Sequence, residues 1–412
     1  MNLSMDKSDF KELTAAGLRD WLGGRSIRPF HADQILRWVY RRQCDDFAAM
    51  TDLSKALREL LADHFCIRRL AVDRVVAAAD GTRKFLFGLS DGHQVETVLI
   101  PERGHHTLCI STQVGCAQGC RFCMTARGGL VRNLTCGEII AQVRDVAALA
   151  GAEGLNLTNV VLMGMGEPLA NYRHVVDALS VITDADRGLG FSARRVTLST
   201  VGLAPRLADL AVDTQVNLAV SLNAADDETR SALMPVNRRY PLDALMAACR
   251  SYPLAPRRRI TFEYILIAGV NDRPGDARRL VALLHGIRAK VNLIPFNEHP
   301  GCDFRRPAQA VIGAYQRQLL DAGLTAVVRY SKGGDIAAAC GQLRGSGIQS
   351  PAAASAPAAH ARPGRDESKG PVDIRPGLDL EHCGGDDGIR THDFSVANAA
   401  LSQLSYIPET KK

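Results

Sequence analysis

The chain has 412 residues, 46% of them hydrophobic and 23% charged, with a formal net charge of +6. That length and apolar content exclude a single small domain and a wholly disordered chain. The mild basicity suits a polyanionic partner without requiring one, and no run approaches the length of a membrane span.

The opening stretch MNLSMDKSDFKELTAAG has no apolar core of signal-peptide length, so the cytoplasm is the expected location. In a reducing compartment the 11 cysteines are expected as thiols, and clustered ones as metal ligands or catalytic groups. Residues 1 to about 90 read mainly as helical. RPFHADQILRWVYRRQ places Ile35, Leu36, Val39 and Tyr40 on one face and Arg37, Arg41 and Arg42 on another. MTDLSKALRELLADHF repeats the pattern after a start signal at Thr51/Asp52. TRKFLFGLSDGHQVETVLIP then reads as a strand pair turning at Asp91-Gly92.

From about 105 to 344, short apolar runs alternate with helical stretches. The runs are TLCIST, NVVLMGMGEP, RRVTLSTVG, QVNLAVSLNA, RITFEYILI, KVNLIPFN and TAVVRYSKGG. Between them lie helices such as TCGEIIAQVRDVAALAG, where Thr135 and Glu138 have capping-box spacing. Strands alternating with helices argue for an α/β fold of parallel units, six or so, closing into an open or partial (β/α)6 barrel. Gly166, Glu167, Ser199, Thr200, Ser221, Asn223 and Asn297 fall just after successive runs. In parallel α/β folds ligands sit at the carboxyl ends of strands, although any one of these residues serves equally well as a turn or cap. After Leu343 the stretch GSGIQSPAAASAPAAHARPGRDESKG is Ala/Pro/Ser/Gly-rich and is expected to be disordered. The later GIRTHDFSVANAALSQLSYIP looks like the conceptual translation of a transfer-RNA gene, and no function attaches to this tail.

VGCAQGCRFCMTA carries Cys116, Cys120 and Cys123 as C-x3-C-x2-C, with no fourth cysteine close by. Closed structural zinc takes four ligands, and catalytic zinc favours histidine; His105 and His106 upstream are available to complete such a site. An iron–sulfur cluster held by three thiolates instead leaves one iron open for a ligand.

That spacing, with Phe122 before the last cysteine, resembles the signature of the radical S-adenosylmethionine (SAM) superfamily, and MGMGEP resembles its segment for the SAM amino group. Taken in order, CISTQVGCAQGCRFCMTA, LMGMGEPLANY, VTLSTVGL, LAVSLNA, MPVNRRYPL, NLIPFN and DIAAACGQL resemble the RlmN family. These are dual-specificity methyltransferases acting on carbon 2 of adenosine in large-subunit (23S) ribosomal RNA and in transfer RNA. RPFHADQILRWVYRR and MTDLSKALRE resemble that family's N-terminal helical domain. The resemblance implies three parts: a helical RNA-binding accessory domain at 1–92, a radical-SAM core at 93–344, and the low-complexity tail at 345–412.

It also implies a [4Fe-4S] cluster on Cys116, Cys120 and Cys123 and two SAM molecules per turnover. Cys340 becomes the methyl carrier, whose methyl group loses a hydrogen to a SAM-derived radical and adds to the adenine. Cys109 then releases the product through a transient disulfide with Cys340, and Glu96 matches the family's proton acceptor. Without the resemblance, Cys340 and Cys109 read as buried core cysteines. SAM contacts carry over to Gly166, Glu167, Ser199, Ser221, Leu222, Asn223 and Asn297. Two positions depart from the family: Asn223, where histidine is frequent, and Lys332, where arginine is usual. Cys44, Cys66, Cys136, Cys249, Cys302 and Cys383 lie outside the motifs.

The expected partners are 23S rRNA, transfer RNA and a reductant such as flavodoxin or ferredoxin, with the chain a monomer away from membranes. Candidate RNA contacts are Arg41-Arg42, Arg194-Arg195, Arg238-Arg239, Arg257-Arg258-Arg259 and Arg305-Arg306, with the N-terminal helices favoured. Two other readings stay open: the sister Cfr activity on adenosine carbon 8, and a non-catalytic, metal-stapled RNA-binding module.

Overall fold

A computed structural model describes residues 7–345. The tail expected over 345–412 lies, apart from Gly345, outside the described residues, and Cys383 with it. The N-terminal part holds α1 (Ala15–Gly23), α2 (Phe30–Leu36) and α3 (Lys55–His64). The Thr14 side chain caps α1 by accepting from the Gly17 N–H. The predicted helix over RPFHADQILRWVYRR forms as α2 followed by a wider π turn at Arg37–Arg41, and its expected apolar face is buried. Residue α3 begins later than predicted: Ser54, not Thr51 or Asp52, supplies the cap by accepting from Leu57 N–H. Met50 and Leu53 are both buried, and the Leu53 N–H donates to Met50, so the chain turns there before the helix starts.

One ten-stranded sheet organises the rest. Its antiparallel edge consists of β1 (Ala71–Ala77), β2 (Arg83–Gly88) and β3 (Gln94–Glu102), the last also pairing antiparallel with β4 (His105–Cys109). The predicted pair is β2–β3, turning where Gly92 takes a φ of +84°. Strand β1 was not anticipated. AVDRVVA is exposed along nearly its whole length, so burial imposes no apolar alternation on it. Position 92 falls inside the β2–β3 hairpin.

From β4 onward the strands are parallel: β5 (Leu157–Leu162), β6 (Val196–Thr200), β7 (Asn217–Ser221), β8 (Ile260–Leu266), β9 (Ala289–Pro295) and β10 (Thr325–Val328). Between them run α4 (Cys136–Ala152), α5 (Tyr172–Thr183), α6 (Pro205–Asp213), α7 (Asp227–Leu233), α8 (Leu242–Ser251), α9 (Pro274–Leu284) and α10 (Gln309–Asp321). The expected capping box at Thr135 and Glu138 is present at the start of α4. Each strand pairs with its predecessor in sequence, and β1 and β10 remain the two edges, so the barrel is partial. Val196 and Leu198 of β6 are buried against the helices, while Thr197 and Ser199 alternate with them toward the lumen.

Arg144 of α4 fastens the N-terminal helices to this frame. Fully buried, it donates to the Val39 and Cys44 carbonyls and pairs with Asp45 at 2.6 Å. Among the described residues no helix is long and apolar enough to cross a membrane.

Candidate active site

The chain leaving β4 forms a short hairpin, Gln113–Gly115 against Leu130–Asn133, that brackets the three-cysteine loop. Gly115 has φ +75°, and a Cβ there would stand 2.0 Å from the Gly129 carbonyl oxygen, so no side chain fits. The Cys116 N–H donates to that carbonyl at 2.8 Å. Phe122, Leu233, Met234, Ile267 and Phe296 pack around Cys120 as a small apolar cluster.

The three thiols interact electrostatically with one another. Burial, reinforced by these neighbours, pushes Cys116 up to about 12 and Cys120 well above the ordinary thiol range. Thiols so placed stay protonated until a cation takes the proton's place, which suits them to hold iron. A cluster takes one thiolate per iron, which three cysteines of one loop can supply. His105 and His106 sit at the other end of β4, and His105 bonds Asn159, so neither reaches the loop.

The strand-end residues close over the same mouth. Gly164 and Gly166 lie against the chain after β4: a Cβ on Gly166, at φ +102°, would stand 2.6 Å from Gln113. The Glu167 N–H donates to Gln113 Oε1 at 2.8 Å, while its carboxylate accepts from the Leu169 and Val201 N–H groups. Burial pushes Glu167 up to about 7, these N–H groups opposing it. Its side chain is therefore occupied, and a SAM amino group would meet backbone here. Ser199 and Ser221 face each other with hydroxyls 3.5 Å apart.

The next two expected contacts turn inward. Leu222 is in the core with both backbone polar groups used, toward Glu263 and Arg230. Asn223, at φ +59°, accepts from Ile265 N–H and donates to Met234 sulfur. Asparagine tolerates this left-handed backbone well.

The two remaining cysteines are close enough to influence one another electrostatically although they lie far apart in sequence. Cys109 ends β4 and interacts electrostatically with Cys340, as Cys340 does with Cys123. Residues 331–345 form a strap across the barrel mouth. Gly341 carbonyl accepts from Met124 N–H at 2.7 Å and Leu343 carbonyl from Thr125 Oγ1 at 2.6 Å, both just past Cys123. Asn297 donates to Ser331 Oγ and to the Cys340 carbonyl. Cys340 is exposed as a residue, yet its thiol sits amid protein groups. Desolvation first, then the nearby Glu263 carboxylate, pushes it up, and burial pushes Cys109 up as well. Glu96 of β3 is buried; Lys84 lies 2.9 Å from Oε1, and the Arg344 N–H donates to Oε2 at 2.7 Å.

Residues 8–67 match the family described as the ribosomal RNA large subunit methyltransferase N-terminal domain, and residues 110–281 match the radical SAM superfamily. A dual-specificity RNA methyltransferase RlmN from Desulfosudis oleivorans is 56% identical over 343 residues, covering 83% of this chain and 92% of that protein. One of the same description from Syntrophotalea carbinolica is 54% identical over 374 residues, covering 90% and 99%. This chain belongs to the RlmN family.

A solved radical SAM methyltransferase from Sphaerobacter thermophilus is 46% identical, covers 82% of this chain and 99% of its own, and superposes with a TM-score of 0.76. RlmN membership makes the protein a radical SAM RNA methyltransferase with a [4Fe-4S] cluster and SAM as cofactors. It sets aside the metal-stapled binding module.

In this RlmN-family frame the basic groups separate. Arg194, Arg195 and Arg257–Arg259 lie at the amino ends of β6 and β8, away from the cysteines, where Arg195 bonds Thr158 and Asn159. Arg238-Arg239 and Arg305-Arg306 follow α7 and β9 on the cysteine side. Lys332 donates to the Pro101 carbonyl and lies 3.8 Å from Glu102, fastening the strap. Sequence reasoning missed Arg230. Fully buried, it donates to the Leu222, Val201 and Ser221 carbonyls and so aligns the ends of β6 and β7. No local pattern marks it, because its partners come from two different strand ends.

Proposed function

We propose that this RlmN-family enzyme methylates carbon 2 of adenosine in 23S ribosomal RNA and in transfer RNA, through a methyl group carried on Cys340. The observation that supports this reading is the strap: it bonds the chain just beyond Cys123, and Cys340 within it is in electrostatic range of Cys109. Cys116, Cys120 and Cys123 hold the cluster, and Gly166, Glu167, Ser199, Ser221, Leu222, Asn223 and Asn297 line or shape the SAM site. When bound there, the cluster supplies a one-electron reductant, and SAM supplies methyl groups and radical chemistry.

The chain's own residues do the rest. Cys340 takes a methyl group as a thioether, its thiol proton leaving as the sulfur–carbon bond forms. Carbon 2 of adenine is electron-poor and has no acidic proton, so it does not displace a methyl group directly; a carbon radical on the Cys340 thioether reaches it. The adduct must lose one electron, which the bound cluster would take back, and its carbon-2 proton. Cys109 as thiolate then attacks the Cys340 sulfur, forming a disulfide as the sulfur–carbon bond breaks. The carbon released with that electron pair takes up a proton to become the methyl group. Glu96 is the proton acceptor, and both of its oxygens already have partners, so it works from a held position. The N-terminal helices grip RNA backbone, and the target adenine is splayed from its stack toward the barrel mouth. The enzyme acts in the cytoplasm as a monomer, with a flavodoxin or ferredoxin as reductant.

The test is a nucleoside digest. Reconstituted enzyme, SAM and a reductant are incubated anaerobically with protein-free 23S rRNA and, separately, with transfer RNA. The expected product in both pools is 2-methyladenosine. A single reactive pool narrows the substrate, 8-methyladenosine moves the chain to the Cfr reaction, and no product from an intact, SAM-cleaving enzyme removes the substrate assignment.

A further inference from the structure

Cys340 is held by more than the groups assigned above. Ala337 has φ +51°, a left-handed conformation that a residue with a Cβ keeps only where its surroundings enforce it. Its carbonyl accepts a 3.1 Å hydrogen bond from Lys84 Nζ on β2. The same ammonium lies 2.9 Å from Glu96 Oε1 on β3. Glu96 Oε2 in turn accepts from the N–H groups of Arg344 at 2.7 Å and Gly345 at 3.4 Å. One ion pair therefore touches the chain on both sides of Cys340.

The pair is built to hold. Lys84 and Glu96 side chains are only 14% and 9% exposed, which limits screening by salt. They are not directly opposite across the hairpin, since Lys84 faces Val98 and Glu96 faces Leu86. Stitching β2 to β3 requires neither the Ala337 carbonyl nor the amides at 344 and 345; presenting the loop between them does.

We propose that Lys84 is a positioning residue for Cys340: with Glu96 it clasps both ends of the loop that presents the thiol. The inference rests on the reading of Cys340 as methyl carrier. In one cycle that sulfur must meet a methyl donor, an adenine and Cys109, and a tethered loop keeps all three within a small displacement. An untethered loop spends most of its time elsewhere, lowering turnover with little effect on RNA binding.

Lys84→Met keeps the aliphatic stem and removes the charge. On anaerobically reconstituted holoenzyme, hydrogen–deuterium exchange at the amides of 338–345 is expected to quicken about tenfold or more. The kcat is expected to fall about tenfold with KM for RNA within about twofold, while iron content stays unchanged. Lys84→Arg restores protection. Adding Ala337→Gly to Lys84→Met restores part of it, because glycine takes positive φ without the Cβ penalty.

Unchanged exchange at Arg344 and Gly345 with full kcat in Lys84→Met overturns the clasp. So does wild-type enzyme whose two amides exchange at unprotected rates, a measurement that needs no variant to fold. Peptide mass spectrometry that finds no methyl group on Cys340 of active wild type overturns the proposed function, and this inference with it. Protection that survives in Lys84→Met while the methyl group is found on Cys340 overturns the clasp alone, which separates the two failures.

Discussion

Cys116, Cys120 and Cys123 share one loop, whereas Cys109 and Cys340 come from distant parts of the described chain. The first set is arranged by local backbone: Gly115 with its forbidden Cβ, Gly119 at φ +67°, and a short hairpin on either side. The second set is arranged by tertiary bonds, from Asn297, Met124 and Thr125 to the strap. On the proposed roles, ligand geometry is a property of a loop and carrier geometry a property of the whole barrel. Damage to one should leave the other readable.

The largest effect tests the loop. Cys120→Ala should abolish iron and sulfide content together with turnover, and a normal iron–sulfur spectrum in that variant would defeat the ligand assignment. Next comes the carrier pair. Cys109→Ala should keep the cluster yet trap enzyme on RNA as a covalent adduct visible on a denaturing gel; full product with a clean gel would remove its assigned role. Gly166→Ala forces a Cβ to within 2.6 Å of Gln113 at φ +102°, and should cost about 2–4 kcal/mol in chemical denaturation.

A smaller effect concerns Glu263, which β8 places near Cys340 and which accepts from Asn292 Nδ2 at 2.9 Å. Burial raises its folded-state pKa from 4.5 to about 6, so the neutral acid is favoured below about pH 6. Its contribution is complete below the unfolded value and is lost as pH climbs through about 6. Across that window the wild type should lose about 2 kcal/mol relative to Glu263→Gln in urea titrations, and parallel stability curves would contradict this. The smallest effect divides the two ends of the barrel. Arg239→Ala or Arg306→Ala should raise KM for RNA about threefold to tenfold, and Arg194→Ala should leave it unchanged. Equal effects from both ends would place the RNA differently.

Much of this was legible from residues alone, for identifiable reasons. The alternation of apolar runs and helices is a direct imprint of strands buried on both sides, so β4 to β10 could be read off. The cysteine triplet was legible because its members are neighbours in sequence. Strand β1 was not, since AVDRVVA is wet on both faces and carries no period. The start of α3 was displaced to Ser54 by the burial of Met50 and Leu53, which a capping rule does not see. The side-chain use of Glu167 and Asn223 was also hidden: both lie in motif positions, but their polar groups are spent on protein neighbours. Arg230 and Lys84 could not have been singled out, because each acts on backbone brought together only by the fold.

The strictly sequential order of the sheet has a bearing on how the enzyme is born. During synthesis each new strand finds its partner already in place, since that partner is the strand made just before it. The three-cysteine loop is complete while most of the barrel is still to be translated. The strap reaches back to the oldest part of the sheet, where Asp80 accepts from Gly333 N–H and Lys84 Nζ donates to the Ala337 carbonyl. The proposed methyl carrier is therefore made after every strand of the described sheet.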